Sequence, residues 1–248
     1  MFLWALFGFV VGWLINLMGD TWPRRLPIAL PPRCLNCRTP YTPLQWLGVL
    51  AYLLGQAHCR QCGQRLSWRW PLVELLSSFL FLFLYSLFDF SFSLLLVTFY
   101  SSILLLICVT DFEHRLILNK VTFPAIGCAL LLAFVTPYLK PFNALLGGVS
   151  AFFLGVAFYW LGVWYVRWRR INALAFGQGD VTLMTFIGFS VGFVDMIPAF
   201  LIGSILAVIA MPILSLLRRQ SILHTTFAYG PYWAIGGWIM LVKLASGQ

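Results

Sequence analysis

Charge is what this sequence lacks. Only 9% of its 248 residues are charged, and just 7 of them are acids. Soluble domains carry about 25% charged residues, so a water-exposed globule is excluded. Disorder is excluded too, because a disordered chain combines low hydrophobicity with high charge. No internal repeat is visible, which removes fibrous architectures. What fills the chain is apolar: 61% hydrophobic residues, the composition of an integral membrane protein. The 16 Lys and Arg give a formal net charge of +9. No nucleic-acid recognition module accompanies that excess, so no nucleic-acid partner is expected.

A membrane span needs about 20 mostly apolar residues. Eight stretches qualify, at roughly 2–22, 71–88, 92–110, 121–138, 143–166, 181–195, 197–217 and 228–246. The first has no basic leader and no small-residue cleavage site, and reads as an uncleaved span. With eight spans, the segments 23–70, 111–120, 167–180 and 218–227 share one side. They hold 14 of the 16 cations, among them Arg24, Arg33, Arg69, Arg115, Arg167 and Arg218. The positive-inside rule places them in the cytoplasm, next to anionic lipid headgroups, with both termini outside. The expected fold is therefore all-α and polytopic, with about eight transmembrane helices and a small cytoplasmic domain between the first two. The expected division is 1–22 as the first span, 23–70 as the cytoplasmic segment and 71–248 as the remaining membrane domain.

Segment 23–70 contains four of the six cysteines, in two C-x2-C pairs: Cys34 and Cys37, then Cys59 and Cys62, with 21 residues between the pairs. Two such knuckles can present four thiolates tetrahedrally to Zn2+ or to another tetrahedral metal such as iron. So short a segment has too little core to fold alone, and metal binding would supply folding energy. Two disulfides are the competing reading, which a reducing cytoplasm disfavours. Four thiolates leave no open coordination position, so the site reads as structural. Cys108 and Cys128 fall within spans and read as small core residues. His58, beside Cys59, and His224 read as plain polar residues.

Ionisable groups beside the hydrocarbon are costly and mark function. Asp111 ends the third span and Asp180 begins the sixth, both at the cytoplasmic border. Two carboxyls at one depth can share a proton, activate a water and protonate a leaving amine. Gly177 and Gly179 leave room before Asp180 for a substrate backbone to approach. Asp180 as a helix N-cap is the plainer alternative. Glu74, one turn into the second span, reads equally as an interfacial salt-bridge partner of Arg65 or Arg69. Asp89 and Asp195 read as interfacial, and Asp20 as a buried or cytoplasm-facing group.

Together these residues resemble the type IV prepilin peptidases, the leader peptidase/N-methyltransferases of bacteria. Gly12 to Leu17 with Pro23 echoes the family's G-S-F-L-N-V-x5-P. The two cysteine knuckles match in spacing, and Trp70 to Leu75 resembles Y-P-L-V-E-L. Asp111 with Leu116-Ile117 is similar to the first aspartate segment, Gly177 to Asp180 to the G-x-G-D, and Ala228 to Tyr232 to P-F-G-P-F. The resemblance implies an intramembrane aspartic protease of the bacterial inner membrane. Such an enzyme cleaves the basic leader of prepilins or pseudopilins at the cytoplasmic face, and many members then methylate the new N-terminus with S-adenosylmethionine. Asp111 and Asp180 then inherit the catalytic dyad, the four cysteines the zinc site, and Glu74 a candidate place in the methyltransferase half. Trp13, Thr21, Leu118 and Thr182 stand where the family carries Ser, Arg, Pro and Lys. Both aspartates remain, so cleavage is expected to persist. A peptidase without methylation and a non-catalytic prepilin-binding assembly factor are the alternatives.

Overall fold

The computed structural model describes residues 1–169, 176–218 and 229–247. Arg170, Arg219, His224 and Ala228 lie outside the described residues, as does most of the segment 218–227. The described residues form helices and connecting loops, with two isolated β-bridges, Arg33 with Pro40 and His58 with Arg65. The helices are α1 (Phe2–Thr21), α2 (Pro43–Trp46), α3 (Gly48–Leu53), α4 (Arg69–Phe88), α5 (Phe92–His114), α6 (Asn119–Leu132), α7 (Pro141–Arg169), α8 (Gln178–Arg218) and α9 (Gly230–Ala245). Five of them, α1, α4, α5, α7 and α8, are long and apolar enough to cross a membrane. The chain is a multi-pass membrane protein. With 14 and 16 residues, α6 and α9 are shorter than the expected fourth and eighth spans.

The chain divides into two compact units, Met1–Leu94 and Leu95–Gln248. In the first, α1 packs along α4. Lipid supplies no hydrophobic drive between helices, so membrane helices associate through small residues and polar contacts. The α1–α4 seam shows both. Gly8 and Gly12 leave no room for a Cβ beside Phe81, Ser77 and Val73. The Ser77 hydroxyl donates to the Gly8 carbonyl at 2.8 Å, and Asn16 Nδ2 donates to the Trp70 carbonyl at 2.9 Å. Asp20 closes the seam, accepting from Arg69 at 2.5 Å and from the Trp70 indole at 2.9 Å. The Arg69 partner is therefore Asp20 rather than Glu74.

In the second unit α8 packs on α7 and α9. Backbones meet where side chains are smallest: a Cβ at Gly147 would stand 2.4 Å from the Gly188 carbonyl. Two spans were expected, at 181–195 and 197–217, and α8 is two helices that meet at a break at Gly192, whose φ of 83° and ψ of 177° are non-helical. Only glycine adopts that conformation cheaply. The second helix turns back beside the first, since Gly237 of α9 reaches Ile187 while the adjacent Gly236 reaches Ala199. The break leaves the Phe193 N–H without a helical acceptor, and Asn143 Oδ1 on α7 takes it at 3.1 Å.

Candidate active site and metal centre

The four-cysteine centre is built by two loops of the same design. Cys34 N–H donates to the Thr39 carbonyl, and the Arg38 N–H returns to the Cys34 carbonyl, both at 2.9 Å. Cys59, Gln64 and Gly63 repeat the pattern at 2.8 and 2.9 Å. Each loop turns through one left-handed residue, Arg38 at φ 59° and Gly63 at φ 70°. The result brings all four Sγ atoms within 4.8 Å of one another. Cys34 to Cys62 is 3.6 Å and Cys37 to Cys59 is 3.5 Å. Tetrahedral Zn–S arms of about 2.3 Å require S···S edges of about 3.8 Å, whereas a disulfide requires about 2.05 Å. The donor set and its spacing fit a tetrahedral metal ion. The Thr39 hydroxyl and backbone N–H lower the Cys37 thiol to about 6. At Cys62 the lowering by the Gln64 N–H is outweighed by desolvation and the other three thiols, which push it up to about 11, so the thiols share their protons as a set. His58 is not among the clustered ligands.

Glu74 is fully buried. Its two carboxylate oxygens accept the backbone N–H groups of Gly48 at 2.8 Å and Val49 at 2.9 Å, at the start of α3. A Cβ at Gly48 would strike Trp70 and Pro71 on α4. Glu74 thus ties α3 directly to α4. Gln45 adds a second tie within the segment, donating to the Gln56 and His58 carbonyls.

In the second unit, Asp111 lies one turn before the end of α5 and is only 5% exposed. Asp180 lies in the first turn of α8. The two carboxyls are close enough to interact electrostatically. Asp180 Oδ2 accepts the Gly177 N–H at 2.9 Å, which makes Asp180 a cap of its own helix. That hydrogen bond fixes one of its oxygens. Asp111 differs, because its buried Oδ2 has no hydrogen-bond partner among the described residues. Buried polar atoms are almost always paired. An orphaned carboxylate oxygen within electrostatic reach of a second carboxyl is a place for a water or a shared proton.

Three residues that the sequence reading did not single out as site residues complete the surroundings. Gly230, at the start of α9, packs against the Asp111 carboxyl, and a Cβ there would stand 2.5 Å from Asp111 Oδ2. Ile117 is wedged between two glycines: a Cβ on Gly179 would meet it at 2.7 Å, and one on Gly230 at 3.2 Å. Tyr229 stands near Asp180. Their signal in the sequence was the glycine-proline start of α9 and the Leu116-Ile117 pair, which by themselves indicate no proximity. Thr182 Oγ1 donates to the Gly179 carbonyl at 2.8 Å, so it is engaged with its own helix. Gly177 has open space beyond its contact with Asp180.

The fold and these two centres define a multi-pass helical membrane protein with a four-thiol centre in its N-terminal unit and a carboxyl pair in its C-terminal one. Comparison with known families assigns it further. The model described as "Bacterial Peptidase A24 N-terminal domain" matches residues 6–88, and that described as "Type IV leader peptidase family" matches residues 98–212. The chain belongs to the type IV leader peptidase family. It is 29% identical to the prepilin leader peptidase/N-methyltransferase of Bacillus subtilis, over 87% of this chain and 85% of that protein. It is 28% identical to the protein of the same name from Dickeya chrysanthemi, over 85% of this chain and 71% of that protein. The Pseudomonas putida counterpart is 26% identical over 88% and 74% of the two chains. No solved structure matches the chain.

Proposed function

We propose that this chain is a prepilin leader peptidase that uses Asp111 and Asp180 as an aspartic dyad, and that it methylates the N-terminus it creates. The observation that carries the peptidase reading is the buried Asp111 oxygen, unpaired and beside a second carboxyl whose own Oδ2 is held by Gly177. In the proposed reaction one carboxylate takes a proton from water, and the water attacks the scissile carbonyl. The protonated partner gives its proton to the leaving amine, and the peptide bond breaks. Gly177, with open space beside it, lets an unwound substrate backbone reach the pair; Gly179, also expected to leave such room, is packed against Ile117 instead. The leader is expected at the cytoplasmic side, where the basic segments lie in the eight-span topology.

The four thiolates of Cys34, Cys37, Cys59 and Cys62 would hold Zn2+, which there supplies a fold for 23–70 rather than a catalytic ligand position. The methyltransferase half follows from the names of the relatives. The donor is S-adenosylmethionine, which supplies an electrophilic methyl group to the new terminal amine. Glu74 enters this half as a positioning residue, because both its oxygens are occupied by α3. A peptidase that has lost methylation is favoured by Trp13 and Thr21 in the N-terminal segment, which stand where the family carries Ser and Arg.

The test is cleavage of a cognate prepilin by the purified chain in liposomes, for wild type, Asp111→Asn and Asp180→Asn. Both substitutions should reduce cleavage to background while retaining fold and metal. Cleavage by either variant would refute the dyad. Mass spectrometry of the mature product decides methylation.

A further inference from the structure

A cavity of ≈210 Å³ lies in the N-terminal unit, between the last turn of α1, the start of α4 and the first cysteine knuckle. Leu17 and Trp70 give it apolar walls, Asp20 supplies a carboxylate, Cys34 borders it through the metal centre, and Arg33 and Arg38 stand at its edge. The cations around it are not equivalent. Arg69 and Arg24 are directed at Asp20, at 2.5 and 3.8 Å. The Arg33 and Arg38 side chains have no hydrogen-bond or ion-pair partner among the described residues. Arg38 is also held in the left-handed region, at φ 59°, where the matching residue of the second knuckle is Gly63. A side chain in that conformation costs about 1–2 kcal/mol, which glycine avoids. One knuckle keeps an arginine where its twin shows that glycine suffices.

From these features we infer that the cavity binds the amino-acid half of the methyl donor, with the donor's carboxylate held by Arg33 and Arg38 and its ammonium directed to Asp20. The inference rests on the methyltransferase half of the proposed function. Three considerations select this ligand chemistry. The first is size: at about 15–30 Å³ per water-sized group the cavity has room for roughly seven to fourteen such groups. The methionyl part of S-adenosylmethionine, sulfonium methyl included, has about nine non-hydrogen atoms, so the adenosine would extend through the open side. The second is charge pattern. Two free guanidinium groups suit a carboxylate or a phosphate, but the Asp20 carboxylate in the wall repels a dianion and favours a zwitterion. The Arg24 guanidinium donates to the Asp20 carbonyl at 2.7 Å and lies 3.8 Å from its carboxylate, whose oxygens accept from Arg69 and the Trp70 indole and keep lone pairs that a ligand ammonium can share. The third is the wall itself: Leu17, Leu26 and Leu35 offer the apolar surface that a thioether chain needs. The metal centre then acquires a purpose beyond folding, since Cys34 and Arg38 belong to one loop and the bound metal fixes the edge of the cavity.

The test is calorimetric binding of S-adenosylhomocysteine to the full-length protein in detergent, for wild type, Arg33→Gln, Arg38→Gly and Arg38→Lys. Arg38→Gly relieves the left-handed strain while removing the cation, so it should fold and retain zinc at least as well as wild type. Affinity should nevertheless fall about tenfold or more in Arg33→Gln and in Arg38→Gly, and Arg38→Lys should recover part of the loss. Unchanged affinity in both Arg33→Gln and Arg38→Gly, with wild type binding, would overturn the site and leave methylation standing. A zinc-loaded wild type that neither binds S-adenosylhomocysteine nor methylates prepilin would overturn the methyltransferase reading itself. Weaker association of the same two variants with phosphatidylglycerol vesicles, at unaltered S-adenosylhomocysteine affinity, would reassign the two cations to lipid headgroups and refute the inference.

Discussion

Substituting Gly230 by alanine tests whether the start of α9 sets the geometry of the proposed dyad. The added Cβ would stand 2.5 Å from Asp111 Oδ2 and 3.2 Å from both Asp111 Cγ and Ile117 Cδ1. Ordinary contact begins at 3.4 Å, so the carboxyl and the helix end must separate by about 0.9 Å. Asp111 cannot move freely, because it is 5% exposed and sits inside a continuous helix. Ile117 closes the other side. The displacement therefore falls on the carboxyl torsion or on the first turn of α9, and either alters the distance to Asp180. A misplacement of about 1 Å at reacting groups costs about 10²-fold in rate, or about 2.7 kcal/mol of transition-state stabilisation. The assay is prepilin cleavage in liposomes, comparing kcat/KM of Gly230→Ala with Gly127→Ala. Gly127 has open space around it, so its variant is an internal control, expected at wild-type activity. If Gly230→Ala cleaves within threefold of wild type, α9 does not position the dyad and the argument from close approach fails.

Other perturbations follow from single contacts. Gly192→Ala should destabilise the second unit by about 1–3 kcal/mol, since φ 83° is forced and the Cβ would meet Leu139 and Asn143 at 2.8–2.9 Å; a thermal midpoint equal to wild type would refute the break as a fixed feature. Asn143→Ala orphans the Phe193 N–H and should cost about 1–3 kcal/mol by the same measurement. Glu74→Ala leaves two backbone N–H groups at the start of α3 without acceptors. Limited proteolysis should then cut 23–70 faster, whereas a Glu74 acting only in chemistry would leave the digestion rate unchanged. Thr39 holds the Cys37 pKa below the ordinary thiol range, at about 6. The stabilisation of the charged form is thus present at neutral pH and lost as pH falls through about 6. Thr39→Ala should raise that midpoint, read by thiolate absorbance of the reduced, metal-free protein, and should shift metal release to higher pH.

Much of the architecture was legible because the bilayer restricts it. Apolar runs of span length mark α1, α4, α5 and α7 to within a few residues at most ends, since each backbone must satisfy itself in lipid. The boundary expected at 195–197 lies a few residues beyond the actual one, the break at Gly192 where two helices meet. The cysteine spacing foretold a four-thiol cluster, because each C-x2-C loop closes on itself through local hydrogen bonds. The partner of Arg69 was not legible. Asp20 lies 49 residues away in sequence, and only the glycine-lined α1–α4 seam brings the pair together.

The sequence by itself determined which residues carry charge in an apolar chain, and hence the short list of Asp111, Asp180, Glu74 and the four cysteines. Tertiary structure decided how the groups on that list differ. Asp180 is held by its own helix start, Asp111 keeps an unpaired oxygen, and Glu74 is occupied at both oxygens. The reason is physical: local spacing fixes which groups a loop or helix presents, but hydrogen-bond satisfaction and close approach depend on neighbours distant in sequence. Ile117, Gly179 and Gly230 meet only because three helix ends converge, and no periodicity along the chain encodes that meeting.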